Sequence, residues 1–196
     1  MNTTKGQIKN NIFLFQNGPL SQWYGAFKDQ NSKFTMDLSS WTPFFQKTST
    51  RDIFLNYYDN SDKPFHIEFN CAEQAMMFSK AIIFGDIKTS ELILNETHPK
   101  NQKDLGRQVN NFNPEYWDKI KVNLITLINY KKFSQNEELK KMLLDTGFLI
   151  LAEASPWDKI WGIGLSYDDP KSWDVTTWEG QNCLGRALMN VREKLR

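Results

Sequence analysis

The stretch Phe69-Asn70-Cys71-Ala72-Glu73-Gln74-Ala75-Met76-Met77-Phe78-Ser79-Lys80-Ala81 predicts an apolar helix that carries two opposite charges. Successive helical residues are about 100° apart, so Glu73 and Lys80 share one face of the helix, two turns from each other. Because most of their neighbours are apolar, we expect this helix to be largely buried. The two charges therefore either stabilise the helix or line a polar pocket, and the sequence leaves both interpretations open.

Length and composition indicate one soluble globular domain. The chain has 196 residues, of which 40% are hydrophobic and 24% charged. We expect a flexible tail over residues 1–11 and a single domain over residues 12–196. The net charge of +1 gives no general attraction to nucleic acid, so a nucleic-acid partner would need local contacts.

The absence of a long apolar segment and the small number of cysteines and histidines limit the possible locations and partners of the protein. The sequence has no secretory segment and no apolar run of about 18 residues, so we expect a cytoplasmic protein, with a nuclear location as the alternative, and no membrane partner. Two cysteines and two histidines stand at scattered positions, which predicts no metal site.

Hydrophobic periodicity predicts short strands followed by several helices. We expect a strand over residues 12–15 and a hairpin that pairs residues 53–58 with residues 65–69. Helices are predicted over residues 71–84, 86–95 and 99–109, from Asn113-Pro114 onward, from a capping box at Ser134–Glu137 to Gly147, and from Asn182 to the end of the chain. The fourth of these helices is predicted to bury Trp117, Ile120, Leu124, Leu127 and Ile128 and to expose Lys119 and Lys132. We also predict an extended segment over residues 148–152. The loop over residues 153–181 is long for a compact domain, which favours a functional role.

Three clusters besides Glu73 and Lys80 could carry chemistry, and each has a structural explanation. Trp117 and Lys121 lie one helical turn apart, but for this pair alone a core Trp beside a Lys that reaches solvent is the favoured interpretation. The loop places Asp158 between two tryptophans. Residues 181–186 put amides and an Arg at a helix N-terminus, which favours an anion such as phosphate, although helix capping explains Asn182 about as well. Together the clusters supply two carboxylates, a flat ring and cations, which suits cleavage of an N-glycosidic bond.

These residues, in this order and spacing, resemble the NADAR (NAD- and ADP-ribose-associated, YbiA-like) family over about residues 13–195. The matching motifs are Ala72-Glu73-Gln74 with Lys80-Ala81, Leu105-Gly106-Arg107, Trp117 with Lys121, Lys132-Phe133, Leu143 to Gly147 with Leu151 to Ser155, Asp158 with Trp161-Gly162, and Asn182-x-Leu184-Gly185. The chain departs from the family at Gln22, where members typically have Asn, and in two longer segments over residues 25–66 and 165–180.

The resemblance implies an α+β, predominantly helical, YbiA-like single domain with a few short strands, and an N-glycosidase activity. It implies catalytic roles for Glu73, Asp158 and Trp117, which would have to converge in one cavity. It implies substrate-binding roles for Lys80, Arg107, Lys121, Trp23, Trp161, Gly162 and Asn182. The implied substrate is ADP-ribose on guanine, in a nucleoside or a nucleic acid. Ribosylaminopyrimidine intermediates of riboflavin biosynthesis and non-catalytic binding of ADP-ribose are the alternatives. We expect no cofactor and a monomer.

Overall fold

The computed structural model describes residues 6–26, 32–59 and 66–196. These residues form mostly helices with a few short strands in two small sheets, so the predicted α+β fold class is confirmed. The chain divides into two compact units, and we call Met1–Tyr24 with Ile125–Arg196 the first unit and Gly25–Leu124 the second unit. The single domain expected over residues 12–196 stays a prediction.

The described part of the chain contains the following elements. The strands are β1 (Gly6–Lys9), β2 (Ile12–Phe15), β3 (Phe34–Asp37), β4 (His66–Phe69) and β5 (Ile150–Glu153). The α-helices are α1 (Thr48–Asp59), α2 (Ala72–Ile83), α3 (Ile87–Asn95), α4 (Pro99–Arg107), α5 (Pro114–Ser134), α6 (Glu137–Asp145) and α7 (Cys183–Leu195). Short 3₁₀ segments cover Leu38–Phe44, Pro170–Trp173 and Val175–Thr177. No helix within the described ranges is both long and apolar enough to cross a membrane.

The first unit is built on a three-stranded sheet in the order β1-β2-β5. Strand β2 runs antiparallel to β1 and parallel to β5, with Phe13 opposite Ile8 on one side and Leu151 on the other. All four residues of β2 are buried, as expected of a central strand covered on both faces. The core beside this sheet contains Ile12, Leu14, Ala152, Ala154, Ile163 and Leu165. Trp173 and Trp178, from the longer segment over residues 165–180, pack against this core.

The flexible tail expected over residues 1–11 is wrong for Gly6–Lys9, which form strand β1. Asn10 and Asn11 both have positive φ, the conformation that a two-residue hairpin turn requires, and this turn sets β1 against β2. The strand depends on backbone pairing rather than on apolar side chains, which explains why its polar sequence gave no strand signal. Residues 1–5 lie outside the described residues.

The second unit contains a two-stranded sheet in which β3 is antiparallel to β4. The predicted hairpin of residues 53–58 with residues 65–69 is therefore wrong, because residues 53–58 belong to helix α1. Phe54 and Tyr58 are one helical turn apart and both are buried, whereas the Ile53 side chain is exposed. The spacing of four residues is the helical pattern that outweighs the apparent strand propensity. Residue 65 lies outside the described residues.

Helix α2 is the central element of the second unit and agrees closely with the prediction. Apart from Lys80, every residue of this helix is buried, and it packs against α3 and α4. Gly85, with a φ of 81°, follows its end. Helices α3, α4 and α5 begin within a residue or two of the predicted starts, and Pro99 occupies the first turn of α4.

Two predictions about the later helices are wrong. Ser134 is the last residue of α5 rather than the start of a capping box, and Asn136 is the N-cap of α6. Lys132 was expected on the exposed face of α5, but it is fully buried (0% exposed). Its ammonium group donates to the carbonyl oxygens of Pro19 (3.1 Å) and Ser21 (2.9 Å), and these bonds make its burial tolerable.

Candidate active-site residues

Glu73 lies in the first turn of α2 and is only 3% exposed. A carboxylate in the first turn and a lysine in the last turn both complement the helix dipole, which explains in part why this helix tolerates two charges. Burial nevertheless removes the carboxylate from water, which is costly unless partners compensate for the lost hydration. A buried carboxylate of this kind is a candidate for a functional group.

Lys80 and Arg107 form a pair of neighbouring cations in the second unit. The Lys80 ammonium donates to the Gly106 carbonyl oxygen (2.7 Å) and lies 3.9 Å from the centre of the Phe112 ring. Burial, and after it the charge of Arg107, lowers the pKa of Lys80. Arg107 itself is exposed and donates to Asp104 (2.8 Å). Two adjacent cations, one partly buried and one exposed, can bind two phosphate groups.

Trp117 belongs to an aromatic cluster that reaches the Lys80 side chain. Its ring lies 6.4 Å from that of Phe112 and 6.5 Å from that of Phe84, centre to centre. The indole is half-buried, so part of it faces solvent. Phe112 was not singled out from the sequence, although an aromatic residue just before the Asn113-Pro114 helix start was a usable signal. Phe112 contacts both the Lys80 ammonium and the Trp117 ring, and so links two of the predicted site residues.

Lys121 is buried, and its ammonium group donates to the exposed carboxylate of Asp118 at 2.7 Å. This contact fits the structural interpretation of Lys121, in which a buried stem carries its charge toward the surface. A role in binding substrate stays a prediction for this residue.

Asp158 is held in the first unit by its own loop. Its Oδ1 atom accepts hydrogen bonds from the backbone N–H groups of Ile160 (3.0 Å) and Trp161 (2.8 Å). A Cβ at Gly162 would lie 2.9 Å from the Glu153 carbonyl oxygen and 3.0 Å from that of Asp158, so only glycine fits there. The loop therefore has a defined shape in which one carboxylate oxygen is already engaged.

The two remaining predicted tryptophans of the first unit, Trp23 and Trp161, are both half-buried. The Trp23 backbone N–H donates to the Ser21 hydroxyl oxygen at 3.2 Å. By contrast, Trp157 is 94% exposed.

At the start of α7, where the sequence favours an anion or a helix cap, the chain itself uses four backbone donors. The backbone N–H groups of residues 181–184 donate to the carbonyl oxygens of residues 159–162 at 2.8–3.1 Å. Asn182 is the N-cap of α7, as predicted, but its side chain makes no capping hydrogen bond. Instead its amide contacts Leu151 and Glu153 of strand β5. The Asn182 side chain is therefore engaged within the protein, and its contact with substrate stays a prediction.

Comparison with known proteins identifies the class. Residues 15–196 match the NADAR domain model, so the chain belongs to the NADAR domain family. The chain is 46% identical over 127 residues to N-glycosidase R617 of Acanthamoeba polyphaga mimivirus, a match that covers 65% of this chain and 75% of that protein. The NMR structure of the Escherichia coli protein YbiA resembles this fold with a TM-score of 0.53 and 26% identity, over 65% of this chain and 68% of that one. These similarities support an N-glycosidase activity.

The chain is also similar to proteins that are named for riboflavin biosynthesis. The chain is 28% identical over 152 residues to riboflavin biosynthesis protein VVA0006 of Vibrio vulnificus. The match covers 78% of this chain and 38% of that longer protein.

Proposed function

We propose that this protein is an N-glycosidase that hydrolyses a ribosyl C1–N bond and removes ADP-ribose from guanine in a nucleoside or nucleic acid. The observation that carries the proposal is the Glu73 carboxylate, which is only 3% exposed in the first turn of helix α2. Burial removes this carboxylate from water, and buried carboxylates of this kind are frequent at catalytic sites. The relatives named N-glycosidases support the reaction type.

The proposed reaction develops positive charge on the ribose ring. As the C1–N bond breaks, its electron pair goes to the guanine nitrogen, which takes up a proton, and water adds its oxygen to C1 and gives up a proton. Glu73 would stabilise the cationic ribose or orient its hydroxyl groups, as carboxylates do in glycoside hydrolysis. Asp158 would activate the water or protonate the base through Oδ2, because backbone donors already occupy Oδ1.

The second unit supports the choice of ADP-ribose. Two cations suit a diphosphate, and the Lys80 ammonium binds the carbonyl oxygen of Gly106, the residue before Arg107, so the two charges belong to one region of the second unit. Trp117 offers a partly exposed flat ring on which a purine would stack. A smaller ribosyl substrate would not need both cations.

The decisive experiment is incubation of the purified protein with ADP-ribosylated guanosine, followed by mass analysis of the products. We expect free ADP-ribose and guanosine from the wild type, and a fall in kcat of at least about 100-fold in Glu73→Gln with the same melting temperature. Glu115→Gln, an exposed glutamate in the first turn of α5, is the matched control and should retain full activity. Wild-type turnover by Glu73→Gln would refute the assignment.

The riboflavin-related relative favours a second candidate, an N-glycosidase for ribosylaminopyrimidine intermediates. The same preparations should be assayed with both substrates at equal concentrations. Arg107→Gln separates the two, because loss of a diphosphate contact would raise KM for the ADP-ribosyl substrate and leave the smaller one unaffected.

A non-catalytic ADP-ribose-binding module is the remaining alternative. It predicts that ADP-ribose at a concentration of 100 Kd raises the free energy of unfolding by about 2.7 kcal/mol, and so raises the melting temperature. It also predicts that ADP-ribosylated guanosine is recovered intact after prolonged incubation.

A further inference from the structure

We propose that Asn182 is a positioning residue for Asp158 and acts through the backbone of residues 159–162. This inference rests on the proposed function, in which Asp158 takes part in the reaction. Every contact that carries it lies within the first unit, and the role differs from the substrate contact that the sequence predicts for Asn182.

The first step concerns the hydrogen bonds that hold the Asp158 carboxylate. The two N–H groups that bind its Oδ1 atom belong to consecutive peptide groups, Lys159–Ile160 and Ile160–Trp161. Two such bonds restrict rotation of the carboxylate about its Cβ–Cγ bond. Because both bonds are made to Oδ1, Oδ2 is the oxygen left to react with the substrate or the water.

The second step links these peptide groups to helix α7. The carbonyl oxygens of the same two groups, on Lys159 and Ile160, accept hydrogen bonds from the N–H groups of Gln181 (2.8 Å) and Cys183 (3.1 Å). A peptide group that accepts at its oxygen becomes a stronger donor at its nitrogen. The partial positive charge at the start of α7 thus acts on the Asp158 carboxylate through the Ile160–Trp161 peptide group, whose carbonyl oxygen accepts from Cys183.

The third step is the anchoring of the helix start by Asn182, which is only 2% exposed. Its Nδ2 donates to the Leu151 carbonyl oxygen (2.8 Å), and its Oδ1 accepts from the Glu153 N–H (3.2 Å), so one amide satisfies two backbone groups of β5. Its own backbone N–H donates to the Gly162 carbonyl oxygen (3.0 Å). Asn182 is therefore the residue that joins strand β5, the Asp158 loop and α7.

The backbone conformation explains why asparagine suits this position. Asn182 has a φ of 50°, a left-handed conformation that glycine and asparagine adopt most readily. The helix is also seated closely against the strand, because a Cβ at Gly185 would lie only 2.0 Å from the Leu151 carbonyl oxygen. Loss of the Asn182 amide would remove the hydrogen bonds to Leu151 and Glu153 that hold the start of α7 against β5. The start of α7 would then become more mobile.

The test is a double-mutant cycle between Asn182→Gly and Asp158→Asn. Glycine keeps the left-handed conformation and removes only the amide. We expect Asn182→Gly to lower kcat by about 10- to 100-fold, the loss typical of a displaced catalytic group, with KM changed less than about twofold. In the Asp158→Asn variant, Asn182→Gly should lower kcat little further, because Asn182 is proposed to act on the reaction through Asp158. Losses that multiply in the double variant, or an unchanged kcat in the single variant, would overturn the proposal.

Hydrogen exchange gives a second readout that does not need activity. In Asn182→Gly the amides of Ile160 and Trp161 should exchange at least about tenfold faster than in the wild type, while those of β2 keep their protection. Asn11→Gly is the matched control, because Asn11 is another left-handed asparagine of the first unit and lies in the β1–β2 turn. Asn182→Asp, which keeps an acceptor for Glu153 and loses the donor to Leu151, provides a second variant if the glycine variant unfolds.

The two readouts separate the proposals. If the wild type hydrolyses neither ribosyl substrate, the proposed function fails, yet faster exchange at Ile160 and Trp161 would still show that Asn182 positions the loop. Unchanged exchange in both Asn182 variants would refute the positioning role whatever the enzyme does.

Discussion

Lys80 shows at the scale of one residue how a cation can be prepared to bind a phosphate. Its ammonium lies between the Gly106 carbonyl oxygen and the Phe112 ring, in a partly buried position. Burial is the first cause of its lowered pKa, and the charge of Arg107 is the second. A charge that is poorly hydrated and close to another cation gains more from an incoming anion than a fully solvated lysine would.

Arg107→Gln should therefore raise the pKa of Lys80, although burial keeps it below 10.5. Since the folded protein releases this proton more readily than the unfolded chain, the free energy of unfolding should rise with pH between the lowered pKa and 10.5. That rise should become smaller in Arg107→Gln. NMR titration of the Lys80 side chain and urea unfolding at several pH values would measure both effects.

Arg51→Gln, which removes an exposed arginine paired with Asp52 in the same unit, is the control and should leave the Lys80 titration unchanged. An identical Lys80 titration in Arg107→Gln would contradict the coupling.

Asp86 illustrates stabilisation at the scale of an element, because one carboxylate organises the start of α3. It accepts from the backbone N–H and hydroxyl of Thr89 and from the backbone and side-chain N–H groups of Asn110, all at 2.8–3.0 Å. Burial raises the pKa of Asp86, but the hydrogen bonds from Asn110 and Thr89 outweigh it, and the net pKa is lowered. The side chain thus caps a helix and holds residue 110 at once.

Asp86→Ala should lower the free energy of unfolding by about 1–2 kcal/mol at pH 7, the usual effect of losing an N-cap, and more if the bonds to Asn110 are not replaced. The contribution should be complete above pH 3.8 and disappear as the pH falls through the lowered pKa. Chemical denaturation at pH 7 and pH 3 would measure it. Asp52→Ala serves as the control, and an equal loss in both variants would refute the capping role.

Lys132 connects helix α5 with the turn that carries Ser21. Its ammonium satisfies the carbonyl oxygens of Pro19 and Ser21 in a fully buried position. Lys132→Met keeps the stem and removes both charged hydrogen bonds, so we expect a loss of about 3 kcal/mol in the free energy of unfolding. Lys119→Met, at an exposed position of the same helix, should change it by less than about 0.5 kcal/mol. Similar losses in the two variants would show that the buried bonds contribute little.

The charge of the whole molecule would limit how it binds the proposed nucleic-acid substrate. With 24 basic and 23 acidic residues the net charge is +1, so long-range attraction to a polyanion is weak. Recognition must then come from local groups, of which Lys80 and Arg107 are the proposed ones.

We therefore expect a shallow salt dependence for an ADP-ribosylated oligonucleotide. A plot of log(1/KM) against log salt concentration should have a slope no steeper than about −2, because each phosphate contact contributes about −0.7 to −0.9. Arg107→Gln should reduce the steepness by about 1. A slope much steeper than −2 would instead reveal an extended basic surface.

Local patterns in the chain were sufficient to predict much of the helical part. Helix α2 was predicted because its apolar residues continue over three turns up to Gly85, and α4 and α5 because Pro99 and Pro114 stand at their first turns. The motif order also indicated the family, which the match over residues 15–196 confirms. Such signals lie within one or two helical turns of the residue concerned, so they can be recognised without knowledge of the fold.

What the sequence by itself determined is therefore the class of fold, the order of most helices and the set of candidate groups. Only the tertiary structure decided that β4 pairs with β3, that Lys132 is buried and that the N–H groups at the start of α7 are occupied. In each case the partner is distant along the chain, as with Lys132 and Pro19, which are 113 residues apart. A hydrogen bond between such residues exists only once packing has brought them together, so no local pattern of residues can record it.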